Sequence, residues 1–147
     1  MKPEKKHKVL FLCTGNQARS QIAEGLLRAR SGDTMDISSA GSRPKDAVHP
    51  LAVKALAEMG IDIAAAEPKG VDRFAGEDFD YIITLCDNAR DECPYFPGDG
   101  ARIHWSLSDP AAVSGSEEEQ LISFRAIRDD IAQRIDGFLD GIISGSD

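Results

Sequence analysis

The stretch Lys8-Val-Leu-Phe-Leu-Cys13-Thr-Gly-Asn-Gln-Ala-Arg19-Ser20-Gln-Ile-Ala-Glu-Gly-Leu-Leu27 joins an apolar run to a segment with the apolar spacing of a helix. Lys8–Cys13 reads as a buried strand and Ser20–Arg30 as the helix after it. A thiol thus stands at the carboxyl end of a strand, with an arginine and a serine where the next helix begins. That is where an α/β sheet binds ligands. Helix-start N–H groups and the helix dipole favour an anion there. Gly15 and Asn16 tolerate left-handed backbone angles, so Thr14, Gly15, Asn16, Gln17 and Ala18 can curl into an anion-binding nest. On this reading Cys13 is a thiolate nucleophile facing a bound oxyanion. Arg19 folds back as a bidentate clamp, and Ser20 donates its hydroxyl to the sulfur. The plainer alternative is a buried structural cysteine beside a loop-capping arginine. Strand, glycine, spacing and helix together favour the site.

Working outward, strand-like and helix-like segments alternate. Met35–Ala40 reads as a second strand closed by Gly41-Ser-Arg-Pro44, and a helix is expected from Pro50 to Met59 with Gly60 as its stop. Tyr81–Cys86 is a β-branched strand and Arg102–Trp105 a shorter one. A last helix, Glu117–Ile142, sets Leu121, Phe124, Ile127, Ile131 and Ile135 at helical spacing, with Ser116 and Glu119 as a capping box. Between Ala64 and Gly76 the signals conflict, and a loop with a short helix at Val71–Phe74 is expected. Alternation of this kind implies a parallel α/β sheet covered on both sides.

The 147 residues suit one domain, 1–147, with one core. A net charge of −8 and a pI near 4.8 argue against nucleic acid as a partner, because phosphate backbones need clustered Lys and Arg. No apolar run is long enough to cross a membrane, and the basic leader lacks a signal-peptide core, so a cytoplasmic location is expected. An acidic protein that binds a small anion must use a local nest and a fixed guanidinium, not its overall field. Three cysteines, with no Cys-x-x-Cys pair or His cluster, point to catalytic or redox use, not to a disulfide scaffold or zinc site.

Two further constellations carry chemistry. Cys86 ends a strand and is followed by Asp-Asn-Ala-Arg-Asp-Glu-Cys93-Pro94, a polar segment that reads as a movable loop. Its thiols can pair if the loop folds inward, although such a pair taken alone is more often incidental. Asp109, in Ser108-Asp109-Pro110, lies on a loop at the same sheet edge and could protonate a leaving oxygen. Asp-Pro is also a common turn pair, which leaves a turn or cap role open. His49 is expected to flank a helix start, His104 and Trp105 to pack, and His7 to sit in a solvated leader. Met35, Met59 and the phenylalanines are expected in the core.

The stretch from Val9 to Glu24 resembles the signature of thioredoxin-coupled arsenate reductases, which share the low-molecular-weight protein tyrosine phosphatase fold. The resemblance continues through Ser39-Ala-Gly41, His49-Pro50, Glu58-Met-Gly-Ile-Asp62, Cys86 to Cys93-Pro94 and His104-Trp105 to Asp109-Pro110. It implies a three-layer fold with a four-stranded parallel sheet in 2-1-3-4 order and helices on both faces. It also implies a cascade. Cys13 attacks arsenic(V), Asp109 protonates the departing hydroxide, Cys86 attacks the adduct to release arsenite, and Cys93 resolves the Cys13–Cys86 disulfide. Asn16 would hold the loop shape. Arsenate, with phosphate or sulfate as mimics, is the implied ligand and thioredoxin the implied reductant. The expected protein is a monomer without cofactor. Some members hold potassium on positions matched by Asn16, Glu24 and Ser39. Here Lys69, in Glu67-Pro68-Lys69, intrudes on that set, and no metal is expected. Gln17-Ala18 replaces a Ser-Cys pair common in the family. A phosphatase of the same fold is the alternative, hydrolysing phosphate monoesters through a Cys13 phosphocysteine. Gln21 in place of its usual proline, Ala111-Ala112 in place of its tyrosine pair, and an idle Cys86 and Cys93 weigh against it. A third alternative, an anion-sensing or thiol-redox module without turnover, has no sequence feature in its favour.

Overall fold

Residues 9–12 are fully buried, as a strand must be when both of its faces are covered. In the computed structural model this strand, β1 (His7–Cys13), is central, and residues 7–86, 96–98 and 100–144 are described. It pairs in parallel with β2 (Met35–Gly41) on one side and β3 (Tyr81–Thr84) on the other, and β4 (Ala101–His104) closes the order β2-β1-β3-β4. The order expected from the resemblance is therefore the one observed.

Side chains alternate between the faces of β1. Val9, Phe11 and Cys13 join one core cluster, while Leu10 and Leu12 join another. All three α-helices build on the first cluster: α1 (Arg19–Ser31), α2 (Pro50–Ala57) and α3 (Glu117–Ser144). The second face is thinner. Among the described residues it is covered by the 3-10 helix Val71–Phe74 with Phe79 and Phe96. The short helix expected at 71–74 is thus present, in its tighter form.

Several details differ from expectation for physical reasons. His7 belongs to β1 and stacks edge-on against Tyr81 at 5.8 Å, so it is not part of a solvated leader. α2 ends at Ala57, two residues early, and Met59 is 41% exposed where core was expected. The chain turns at Gly60 (φ 77°) before a further helical turn could carry Met59 inward. α3 is capped as expected: the Glu119 N–H donates to Ser116 Oγ and the Ser116 N–H to Glu119 Oε1, both at 3.1 Å. The α2–α3 contact is tied by Glu58, which accepts from Arg125 at 2.6 Å and Arg128 at 2.8 Å. No described helix is long and apolar enough to cross a membrane.

Candidate active site

The loop between β1 and α1 owes its shape to where its carbonyls go. Those of Cys13, Thr14, Gly15 and Gln17 accept from the backbone N–H groups of Ser42, Arg43, Lys45 and His49, at 3.3, 2.8, 2.9 and 2.9 Å. The Asn16 carbonyl accepts from Gln21 Nε2 at 3.2 Å. In a trans peptide the next residue's N–H points opposite to the carbonyl, so carbonyls turned outward onto residues 42–49 turn the amides inward. The Asn16 N–H reaches Cys13 Sγ at 3.2 Å. This docking needs Gly41: a Cβ there would stand 2.5 Å from the Thr14 carbonyl oxygen and 2.9 Å from the Asn16 nitrogen. α1 then begins at Arg19 with no side-chain cap, since Ala18 carries none, and no acidic residue in its first turn. An uncapped start of this kind suits an anion.

Behind the loop, Asn16 is the organising side chain. It is fully buried and takes a left-handed φ of 49°. Its Nδ2 donates to Ser20 Oγ at 2.7 Å and Ser39 Oγ at 3.0 Å. Its Oδ1 accepts from the Lys69 N–H at 2.8 Å and Gln21 Nε2 at 3.0 Å. All four valences of the amide are filled. Ser20 Oγ, which accepts from Asn16, lies 2.8 Å from Cys13 Sγ and can donate its proton to a thiolate there. The Asn16 N–H and the Ser20 hydroxyl thus both lie within hydrogen-bond reach of the sulfur. The Arg19 guanidinium, in a side chain 4% exposed, is steadied from behind by the carbonyls of Leu85 at 3.2 Å and Leu107 at 2.9 Å.

Cys13, Thr14, Gly15, Gln17, Ala18, Arg19, Lys45 and Asp109 enclose a cavity of about 160 Å³. That is small beside the roughly 300–1,000 Å³ of drug-sized pockets and suits an inorganic oxyanion. Asp109 enters it while also capping the 3-10 helix Pro110–Ala112, where its Oδ1 accepts from the Ala111 N–H at 2.9 Å. The two readings of Asp109 are therefore compatible: one carboxylate oxygen holds the turn, and the residue still lines the pocket. His49 caps α2 through Nδ1, which accepts from the Leu51 N–H at 3.1 Å, and its ring lies 4.6 Å from that of Phe124. Burial pushes its pKa below the usual 6.5, against the pull of Asp109's charge. Trp105 is buried as expected, whereas His104 is exposed and hydrogen-bonds Thr84 Oγ1 at 2.6 Å.

Cys86 is fully buried at the carboxyl end of β3. The β1–β3 ladder runs to Leu12 opposite Thr84 and continues with the Leu85 N–H donating to the Leu12 carbonyl at 2.8 Å. Cys13 therefore stands opposite Leu85, and Cys86 follows one residue further on, at the same edge of adjacent strands. Cys93 lies outside the described residues. The potassium set does not fit here. Asn16, Ser39 and Glu24 do form a string, with Ser39 Oγ donating to Glu24 Oε1 at 2.5 Å, but the Lys69 ammonium stands 3.8 Å from that same carboxylate oxygen. A metal ion would face a fixed positive charge.

The sequence of residues 8–144 matches the family model of the low molecular weight phosphotyrosine protein phosphatases. The chain belongs to this family. Its relatives within the family include arsenate reductases. That of Halalkalibacterium halodurans is 43% identical over 130 residues, covering 88% of this chain and 93% of its own. An arsenate reductase solved in its oxidized state superposes with a TM-score of 0.75 at 29% identity, covering 92% of this chain and 98% of that one. A thioredoxin-dependent arsenate reductase of Corynebacterium glutamicum superposes with a TM-score of 0.71 at 32% identity, covering 97% of this chain and 64% of that one.

Proposed function

We propose that this chain reduces arsenate to arsenite through thiol–disulfide exchange. The observation that carries the reading is the pair of buried thiols, Cys13 and Cys86, at one edge of adjacent strands, the first of them in an oxyanion-sized nest. Arsenate binds against Arg19, the amides of residues 14–18 and the start of α1. The Cys13 thiolate attacks arsenic(V). An arsenic-bound hydroxide leaves with a proton from Asp109 as water, giving a Cys13 thioarsenate. The Cys86 thiolate then attacks Cys13 Sγ. The sulfur–arsenic bond breaks and its electron pair stays on arsenic, which departs as arsenite, leaving a Cys13–Cys86 disulfide. Cys93 attacks Cys86, frees Cys13 as a thiolate and passes the disulfide outward. An external dithiol supplies the two electrons that restore the enzyme, and the thioredoxin dependence of the Corynebacterium relative makes thioredoxin the reductant to test.

The family match also makes phosphate-monoester hydrolysis a side activity to measure, since it needs only Cys13, Arg19 and Asp109. It leaves Cys86 without a role. The test is to assay arsenate reduction with the thioredoxin system beside aryl-phosphate hydrolysis, in wild type and Cys86→Ser. Loss of reduction with surviving hydrolysis is expected. Equal arsenate reduction by both proteins would overturn the cascade.

A further inference from the structure

The proposed substrate would bring this pocket more negative charge than Arg19 alone balances. Near neutral pH an arsenate, like a phosphate group, bears between one and two negative charges, and the attacking thiolate adds another. Arg19 supplies one positive charge, and the protein as a whole is at −8. One other cation lines the cavity, Lys45. Its backbone N–H donates to the Gly15 carbonyl at 2.9 Å, which fixes its Cα beside the loop. Its stem then lies across Gly15: a Cβ on Gly15 would meet Lys45 Cγ at 3.1 Å and Cε at 3.6 Å. A side chain at Gly15 would press on this stem, and the bare glycine leaves it room to run toward the pocket mouth. Lys45 is exposed, and its ammonium pairs with no carboxylate among the described residues, its neighbour Asp46 and the pocket's own Asp109 included.

We infer that Lys45 is the second anion-binding cation of this pocket, recruiting doubly charged tetrahedral oxyanions at its rim. The inference rests on the oxyanion reading of the site and extends it to a residue outside the loop. A rim charge acts mainly on encounter and binding, and its effect is screened by salt. Its contribution should therefore fall on affinity, not on the chemical step.

The experiment uses the full-length protein with Lys45→Met, which keeps the stem over Gly15, and Lys45→Arg, which keeps the charge. Binding of inorganic phosphate is measured by calorimetry in Hepes at low and high salt, and arsenate kinetics are measured in parallel. Lys45→Met is expected to weaken phosphate binding and raise the arsenate KM by roughly 3- to 10-fold, with kcat at saturation held, a shallower salt dependence and recovery in Lys45→Arg. Phosphate affinity unchanged in Lys45→Met at low salt would overturn the inference, as would a loss confined to kcat. If wild type binds phosphate in a Lys45-dependent way yet turns over no arsenate, the anion role stands and the reductase reading fails.

Discussion

At the floor of the Cys13 pocket, Cys13, Asn16, Arg19 and Ser20 are at most 4% exposed, and each holds at least two hydrogen-bonding partners. At its rim, Lys45 is anchored through its backbone and Asp109 through one carboxylate oxygen. The floor is over-determined: moving any one of its groups costs its buried neighbours a hydrogen bond. The rim is held loosely enough for a substrate to enter and a proton to be exchanged. Floor substitutions should therefore damage chemistry and folding together, while rim substitutions should separate binding from rate.

The largest effect is expected from Asn16→Ala. It takes one hydrogen bond each from Ser20 and Ser39, leaves the Lys69 N–H without its acceptor, and places an alanine at φ 49°. A destabilisation of about 3 kcal/mol is expected. Turnover should fall on the order of 100-fold as the sulfur loses its alignment. Thermal melting and steady-state kinetics check both; a variant with wild-type Tm and kcat would show that the web around Asn16 is ornamental.

Asp109→Asn should lower kcat on the order of 100-fold while leaving phosphate affinity nearly unchanged, because a proton donor acts in the transition state. The amide keeps an oxygen for the Ala111 N–H, so the turn survives. If kcat holds and only binding weakens, Asp109 is a turn residue and the floor–rim contrast loses its acid.

The smallest effect concerns a contact remote from the pocket. Hydrogen bonds from Arg125 and then Arg128 hold the Glu58 carboxylate at about 2, below its usual 4.5. A folded pKa below the unfolded one contributes stability above about pH 4.5, and the contribution fades as pH falls toward 2. The Tm difference between wild type and Glu58→Gln should be small, present at neutral pH and closed near pH 2, with neutral-pH activity intact. A difference that does not vary with pH would mean that Glu58's charge contributes nothing.

Legibility in the sequence follows the same divide between local and distant contacts. The strand Lys8–Cys13, the nest residues and the capping box of α3 were readable because period, glycine and cap signals act over a few residues. Asn16 was readable as a loop former but not as a hub, since its partners Ser39 and Lys69 lie 23 and 53 residues away. Gly41 looked like a strand end, and only the docked loop shows why no side chain fits there. His49 was read as a helix flank, but its neighbours Phe124 and Asp109 come from elements far along the chain. Lys45 carried no signal at all. A lysine in a polar loop is ordinary until the fold sets it across Gly15.

The central claim is that Cys13 and Cys86, buried at one sheet edge, act on one substrate in turn. Its most direct test is a thiol map of the reduced full-length protein after one equivalent of arsenate without thioredoxin, by alkylation and peptide mass spectrometry. The account predicts one equivalent of arsenite, Cys13 alkylated, and a disulfide joining Cys86 to Cys93; in Cys93→Ser the disulfide should join Cys13 to Cys86. Three alkylated cysteines and unchanged arsenate would contradict it.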